Sequence, residues 1–214
     1  MKTIAILLML NLLLTSCNNY DSCGDLPNAQ YDITSISAKA TVSEPPFNSF
    51  GSPFTTTEFN TGQTVSVDQF ILELNATTGP AFTSNNKITN PPFQFSLIPI
   101  AKACSPALPF TKEKISAIAI TSSSDFSNEF PAGTDLKPLF LVIYNEPYLF
   151  DKSSGENKPY SLEEFVELNP SAGHLIQLNL SQSPDISKTH QFNIEYSHED
   201  GEFFMMSLAD ITFE

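Results

Sequence analysis

The sequence predicts a mainly β protein, an antiparallel β-sandwich of about nine strands with one short helix. Beyond the first 16 residues, nearly every apolar run is short, rich in Ile, Val, Phe and Thr, and bounded by Pro, Asn, Gly or Ser. That is how strands joined by turns are punctuated. Several runs also alternate strictly: Phe192, Ile194 and Tyr196 fall on one face, with Asn193, Glu195 and Ser197 on the other. Finally, the 16 prolines lie mostly between the runs, Pro45-Pro46 and Pro91-Pro92 among them.

In chain order, strands are expected at Tyr31–Val42, Thr64–Ala76, Phe93–Ile100, Lys114–Thr121, Leu139–Tyr144, Leu175–Leu180, Gln191–Ser197, Glu202–Leu208 and Asp210–Phe213. Leu139–Tyr144 is apolar at every position, which suits a central strand covered on both faces. Ile176, Leu178 and Leu180 alternate with Gln177 and Asn179, which suits a half-buried strand. His198-Glu199-Asp200-Gly201 reads as the turn of a C-terminal hairpin. The helix is expected from Ser161, where Ser161-Leu162-Glu163-Glu164 forms a capping box and Leu162, Phe165 and Val166 share a face. Asn169-Pro170 stops it. Residues 43–63 and 77–92 read as long Pro/Ser/Thr/Asn-rich loops.

The N-terminus predicts an address. Lys2 precedes an apolar stretch from Ile4 to Leu14, and Leu14-Thr15-Ser16-Cys17 ends it in the pattern of a bacterial lipoprotein signal. The segment is too short to span a bilayer. Cleavage before Cys17 makes residues 1–16 a signal peptide and Cys17 the lipidation site, whose acyl chains anchor at about 0.8 kcal/mol per buried CH₂. The alternative is an ordinary secretory signal with Cys17 incidental. Residues 17–22 then form a tether of about 20 Å at full extension, and residues 23–214 a single sandwich domain close to the membrane.

Cys23 and Cys104 are left in an export pathway that permits disulfides. A Cys23–Cys104 bridge is expected, closing a loop of about 80 residues worth roughly 4.5 kcal/mol in the chain-entropy model. Two free buried thiols are the alternative.

Charge narrows the partners. The chain has formal net charge −14, and loss of residues 1–16 removes one lysine and no acid. It contains no arginine, the usual fork for phosphate and nucleic acid, so a nucleic-acid partner is not expected. Repulsion from anionic lipid leaves membrane attachment to the N-terminal lipid.

No catalytic template fits. There is no Gly-x-Ser-x-Gly, no His-Glu-x-x-His and no glycine-rich phosphate loop. His190 and His198 lie about 26 Å apart on a continuous strand, too far to share a metal, and His174 has no histidine nearby in sequence. All three are read as surface or structural residues. The densest acidic stretches, Asp125–Asp135 and Glu199–Glu202, lack the EF-hand pattern, so no metal, cofactor or catalytic residue is assigned. Asp125 and Asp135 are read as turn-forming groups around Gly133. Most of the 18 phenylalanines are read as core.

Ile118–Phe126, followed by Phe130-Pro131-Ala132-Gly133-Thr134-Asp135-Leu136, resembles a family of Bacteroidota cell-envelope lipoproteins known as a domain of unknown function. Ala103-Cys104-Ser105-Pro106 and the closeness of Cys23 to Cys17 add to the resemblance. It implies an extracytoplasmic β-rich domain with no catalytic residues to carry over. Asn18–Ser22 has one acid where surface-exported lipoproteins of that phylum tend to have a cluster, so the face of the outer membrane is left open. The expected function is a non-enzymatic outer-membrane lipoprotein that binds or supports another envelope component through a membrane-associated protein partner. A carbohydrate- or peptide-binding module of a nutrient-uptake system is the alternative, and a hydrolase whose carboxylates meet only in the fold is the third.

Overall fold

The computed structural model describes residues 30–47, 54–79, 110–111, 113–146 and 160–214. All of them belong to one compact unit, Gln30–Phe82 with Pro109–Glu214. Cys17, Cys23, Cys104, the tether and the expected strand Phe93–Ile100 lie outside the described residues.

The fold is mainly β, an antiparallel-rich sandwich with a single short helix. Its largest sheet has six strands. In spatial order these are β3 (Thr55–Glu58), β2 (Ile33–Glu44), β5 (Phe70–Thr78), β10 (Leu175–Leu180), β8 (Phe140–Glu146) and β9 (Tyr160–Ser161), every pair antiparallel. A three-stranded sheet contains β13 (Phe203–Ser207), β12 (Phe192–His198) and β7 (Ile115–Ser122) in that order. A second one joins β11 (Thr189–His190), β14 (Ile211–Phe213) and β4 (Thr64–Val65). The short parallel pair β1 (Gln30–Tyr31) and β6 (Phe110–Thr111) completes the set.

Alternation decides what the large sheet buries. Register places Ala40, Leu72, Leu178 and Val142 side by side on one face. With Phe70, Leu74, Phe140, Ile176 and Leu180 they enter a single buried cluster that also holds Ile118, Ile120, Phe192, Ile194 and Tyr196 from the smaller sheet. Burying each such side chain contributes about 1.5–3 kcal/mol, the dominant stabilising effect here. Stacked and edge-on rings at the centre, Phe70 against Phe192 at 5.8 Å and against Phe213 at 5.3 Å, lock the layers together.

On the opposite face of the same sheet, Lys39, Glu73 and Gln177 are direct cross-strand neighbours. Glu73 Oε2 lies 2.9 Å from Lys39 Nζ, and Glu73 Oε1 accepts from Gln177 Nε2 at 2.9 Å and Thr56 Oγ1 at 3.0 Å. A buried carboxylate is tolerated because its lone pairs are used.

The helix α1 (Leu162–Glu167) starts on both halves of the expected capping box: Glu164 N donates to Ser161 Oγ at 3.2 Å and Ser161 N donates to Glu164 Oε2 at 2.9 Å. It buries Leu162 and Phe165. Asn169 follows at φ 49°, the left-handed conformation in which helices commonly end.

Three expectations need correction. Thr64–Ala76 is not one strand, because Ser66 bonds Asp68 and Gln69 through its hydroxyl and folds residues 66–69 into a turn. The turn sends β4 and β5 into different sheets. The expected loop 43–63 contains β3, whose Thr-rich stretch pairs with the end of β2. Leu139–Tyr144 is flanked on both sides as expected, but on one of them by only the two-residue β9, so among the described residues it lies next to the sheet edge rather than at its middle. It still buries Phe140, Val142 and Ile143.

Candidate functional site

Among the described residues, three ligand-capable side chains come together at the β12–β13 hairpin. Gly201 N donates to His198 O at 3.1 Å and His198 N donates to Glu202 O at 2.9 Å, closing a three-residue loop whose last member, Gly201, has φ 93°. That pattern is a tight turn followed by a left-handed glycine. It folds His198, Asp200 and Glu202 toward one another, and one ligand-capable atom from each lies within 4.8 Å of the others. Asp200 Oδ1 also accepts from Glu202 N at 3.1 Å.

His198 differs from its two partners in burial. Asp200 and Glu202 are exposed, whereas His198 is 2% exposed and neither ring nitrogen has a hydrogen-bond partner. Its ring packs edge-on against Tyr196 at 5.3 Å and Phe204 at 5.6 Å. Two more buried polar atoms nearby have no partner, Tyr196 Oη and Glu113 Oε2. Burial lowers the His198 proton affinity, against the opposing charges of Asp200, Glu113 and Glu202, so the imidazole is neutral near pH 7. Burial, and then the charge of Glu113, raise the Tyr196 phenol, which stays protonated. Glu113 reaches this group because Lys114 O accepts from Glu199 N at 3.0 Å, which ties the start of β7 to the hairpin.

The other histidines are placed differently. His190 is fully buried and both its nitrogens are used, Nδ1 with Ser122 Oγ and Nε2 with Ser187 O, each at 2.7 Å. His174 sets its ring edge-on to Tyr31 at 5.8 Å. The structural reading fits the satisfied His190, whereas His198 is a buried imidazole packed between two rings whose nitrogens have no hydrogen-bond partner. Sequence spacing showed that His190 and His198 are far apart along a strand, but not which of them the core would satisfy.

In the Asp125–Asp135 turn the carboxylates bond backbone. Asp125 Oδ1 accepts from Ala132 N at 2.8 Å, and Asp135 Oδ1 accepts from Ile120 N at 3.1 Å and Lys137 N at 2.9 Å. Gly133 takes φ 81° between them.

A second feature adjoins the hairpin. Phe203 and Met205 are 68% and 69% exposed on β13, the edge strand of its sheet among the described residues. Their face continues through Glu195 and Asn193 on β12 to Ala119 and Thr121 on β7, forming a shallow groove of ≈ 210 Å³. The run Phe203-Phe204-Met205-Met206 carries the signal for this face: four consecutive apolar residues in a strand point to both sides, and Phe203 and Met205 on one side are exposed.

Comparison of the chain with protein-family models, with curated proteins and with solved structures finds no match. No helix among the described residues is long and apolar enough to cross a membrane.

Proposed function

We propose that this protein is a lipid-anchored, non-enzymatic lipoprotein of the outer membrane that binds another envelope component, and that β13 and the outer face of its sheet form the docking surface. The observation that carries this reading is the pair Phe203 and Met205, exposed two residues apart on a strand that is at its sheet's edge among the described residues. An edge strand offers unpaired backbone groups, and exposed apolar side chains beside it make it a template for association unless a partner takes it. Covering both side chains returns about 1.5–3 kcal/mol each. The polar rim of Asn193, Glu195 and Ser207 supplies orientation. The lipoprotein signal ending at Cys17 and the short tether favour a partner in or against the same membrane.

The peptide-binding alternative has one observation in its favour, since a free edge also accepts an extended peptide as an added strand. A sugar platform has less support, because Phe203 is the one aromatic among the large exposed apolar side chains described.

A photo-crosslinking residue at Met205, in the full-length protein in its own envelope, separates these readings. The expected product is a membrane-associated protein, lost in the Phe203→Glu variant. Capture of short peptides instead supports the alternative. Failure to crosslink, together with turnover of a glycan or peptide library that one acidic substitution abolishes, overturns both.

A further inference from the structure

We propose that His198, Asp200 and Glu202 form a binding site for one divalent transition-metal cation of the zinc type. Exposed acids at a turn are common without an ion, so Asp200 and Glu202 by themselves carry nothing. What points to a ligand is the imidazole. His198 is 98% removed from solvent by its 2% exposure, and both Nδ1 and Nε2 lack any hydrogen-bond partner. A buried polar group left unpaired costs free energy, and native structures almost always supply a partner. One carboxylate oxygen each from Asp200 and Glu202 lies within 4.8 Å of an imidazole nitrogen and of the other.

The donor set selects the class of ion. A neutral imidazole nitrogen with two carboxylate oxygens suits zinc and its neighbours, whereas calcium and magnesium take oxygen alone. Bonds of about 2.0–2.2 Å to a tetrahedral ion put ligand atoms about 3.4 Å apart, so the donors need to close by roughly 1.4 Å. Asp200 and Glu202 can supply that movement, since both are exposed and no packing fixes their carboxylates. One Asp200 oxygen remains on Glu202 N and holds the turn while the other is available. Glu113, buried with one oxygen unpartnered, adds negative charge that acts on the same imidazole. A fourth position is left for water.

The site adjoins the docking strand, since Glu202 directly precedes Phe203, but none of its three residues lines the groove. It also differs from the expectation drawn from spacing, in which His198 lacked a second histidine and was set aside. Carboxylates two and four residues further on complete the set once the turn closes.

The test is a zinc titration of the full chain in detergent, followed by calorimetry and by the ¹⁵N imidazole resonances of His198. One zinc ion per chain, a shift of one His198 nitrogen and visible bands with cobalt in place of zinc are expected. Asp200→Asn with Glu202→Gln alters exposed side chains only, so it should fold and lose about 100-fold in affinity. A large excess of calcium should not displace zinc. Zinc binding unchanged in that double variant, an unshifted His198 resonance, displacement by calcium, or no binding beyond buffer each overturns the proposal; the last leaves an ordered water as the partner of the imidazole.

Discussion

Ser122 Oγ and His190 Nδ1 lie 2.7 Å apart in the core, a contact whose direction is set by the bond on the other side of the ring. Ser187 O can only accept, so Nε2 carries the hydrogen and Nδ1 accepts from the Ser122 hydroxyl. Burial lowers the His190 proton affinity, and the Ser187 bond opposes it less strongly. The unfolded chain therefore takes up a proton at His190 before the folded one does. The associated stability is present above pH 6.5 and is lost as pH falls below that value. Unfolding in urea from about pH 7.5 to about pH 5.5 should show this loss, reduced in His190→Gln. Ser122→Ala, which leaves Nδ1 unsatisfied, should cost about 1–3 kcal/mol at neutral pH.

Glu73 should give a second, more acidic transition. Burial is the largest influence and raises its carboxyl, but the bonds from Lys39, Gln177 and Thr56 and the Lys39 charge together outweigh it and hold it below 4.5. Stability from this group is complete above the unfolded value and lost as pH falls through the folded one. Glu73→Gln should flatten the stability curve below pH 4.5 and lower stability at pH 7, because Lys39 loses its counter-charge and one of the two accepting oxygens becomes an amide donor. Chemical unfolding at fixed pH steps measures both effects.

Asp135 should matter more than Asp125. Asp135 accepts from two backbone N–H groups, one of them in β7, while Asp125 accepts from one at an exposed turn. At about 0.5–1.5 kcal/mol per bond, Asp135→Ala should destabilise roughly twice as much as Asp125→Ala in urea. Calcium should leave the thermal midpoint unchanged. A calcium-dependent rise that Asp125→Ala removes would assign the turn a metal instead.

Cys17→Ser should move the protein from the membrane to the soluble fraction, measured by detergent partitioning. Peptide mapping without reductant should find Cys23 joined to Cys104. Unchanged partitioning of the variant, or quantitative alkylation of both cysteines, contradicts the respective expectation.

Local patterns carried most of the architecture. The capping box of α1 depends on Ser161 and Glu164, three residues apart, and appears with both hydrogen bonds. Leu175–Leu180 occupies the expected residues because alternation with period two needs no distant information. The turn at residues 66–69 is hidden from periodicity because Val65 and Val67 extend the apolar pattern, while Ser66 binds the side chains of Asp68 and Gln69 through its hydroxyl and the N–H groups of Gln69 and Phe70 through its carbonyl.

The β class, the hairpin turn at His198–Gly201 and the helix are legible in the amino-acid order, because each depends on residues within a few positions of one another. Tertiary structure alone decided which buried polar groups find partners. Lys39, Glu73 and Gln177 meet because the register of three strands sets them abreast. His190 meets Ser122 across 68 residues, and Glu113 approaches Tyr196 and His198 because β7 pairs with β12. Hydrogen-bond satisfaction depends on distances of about 3 Å between segments far apart in the chain, and such distances are set by packing and register, which composition and periodicity do not encode.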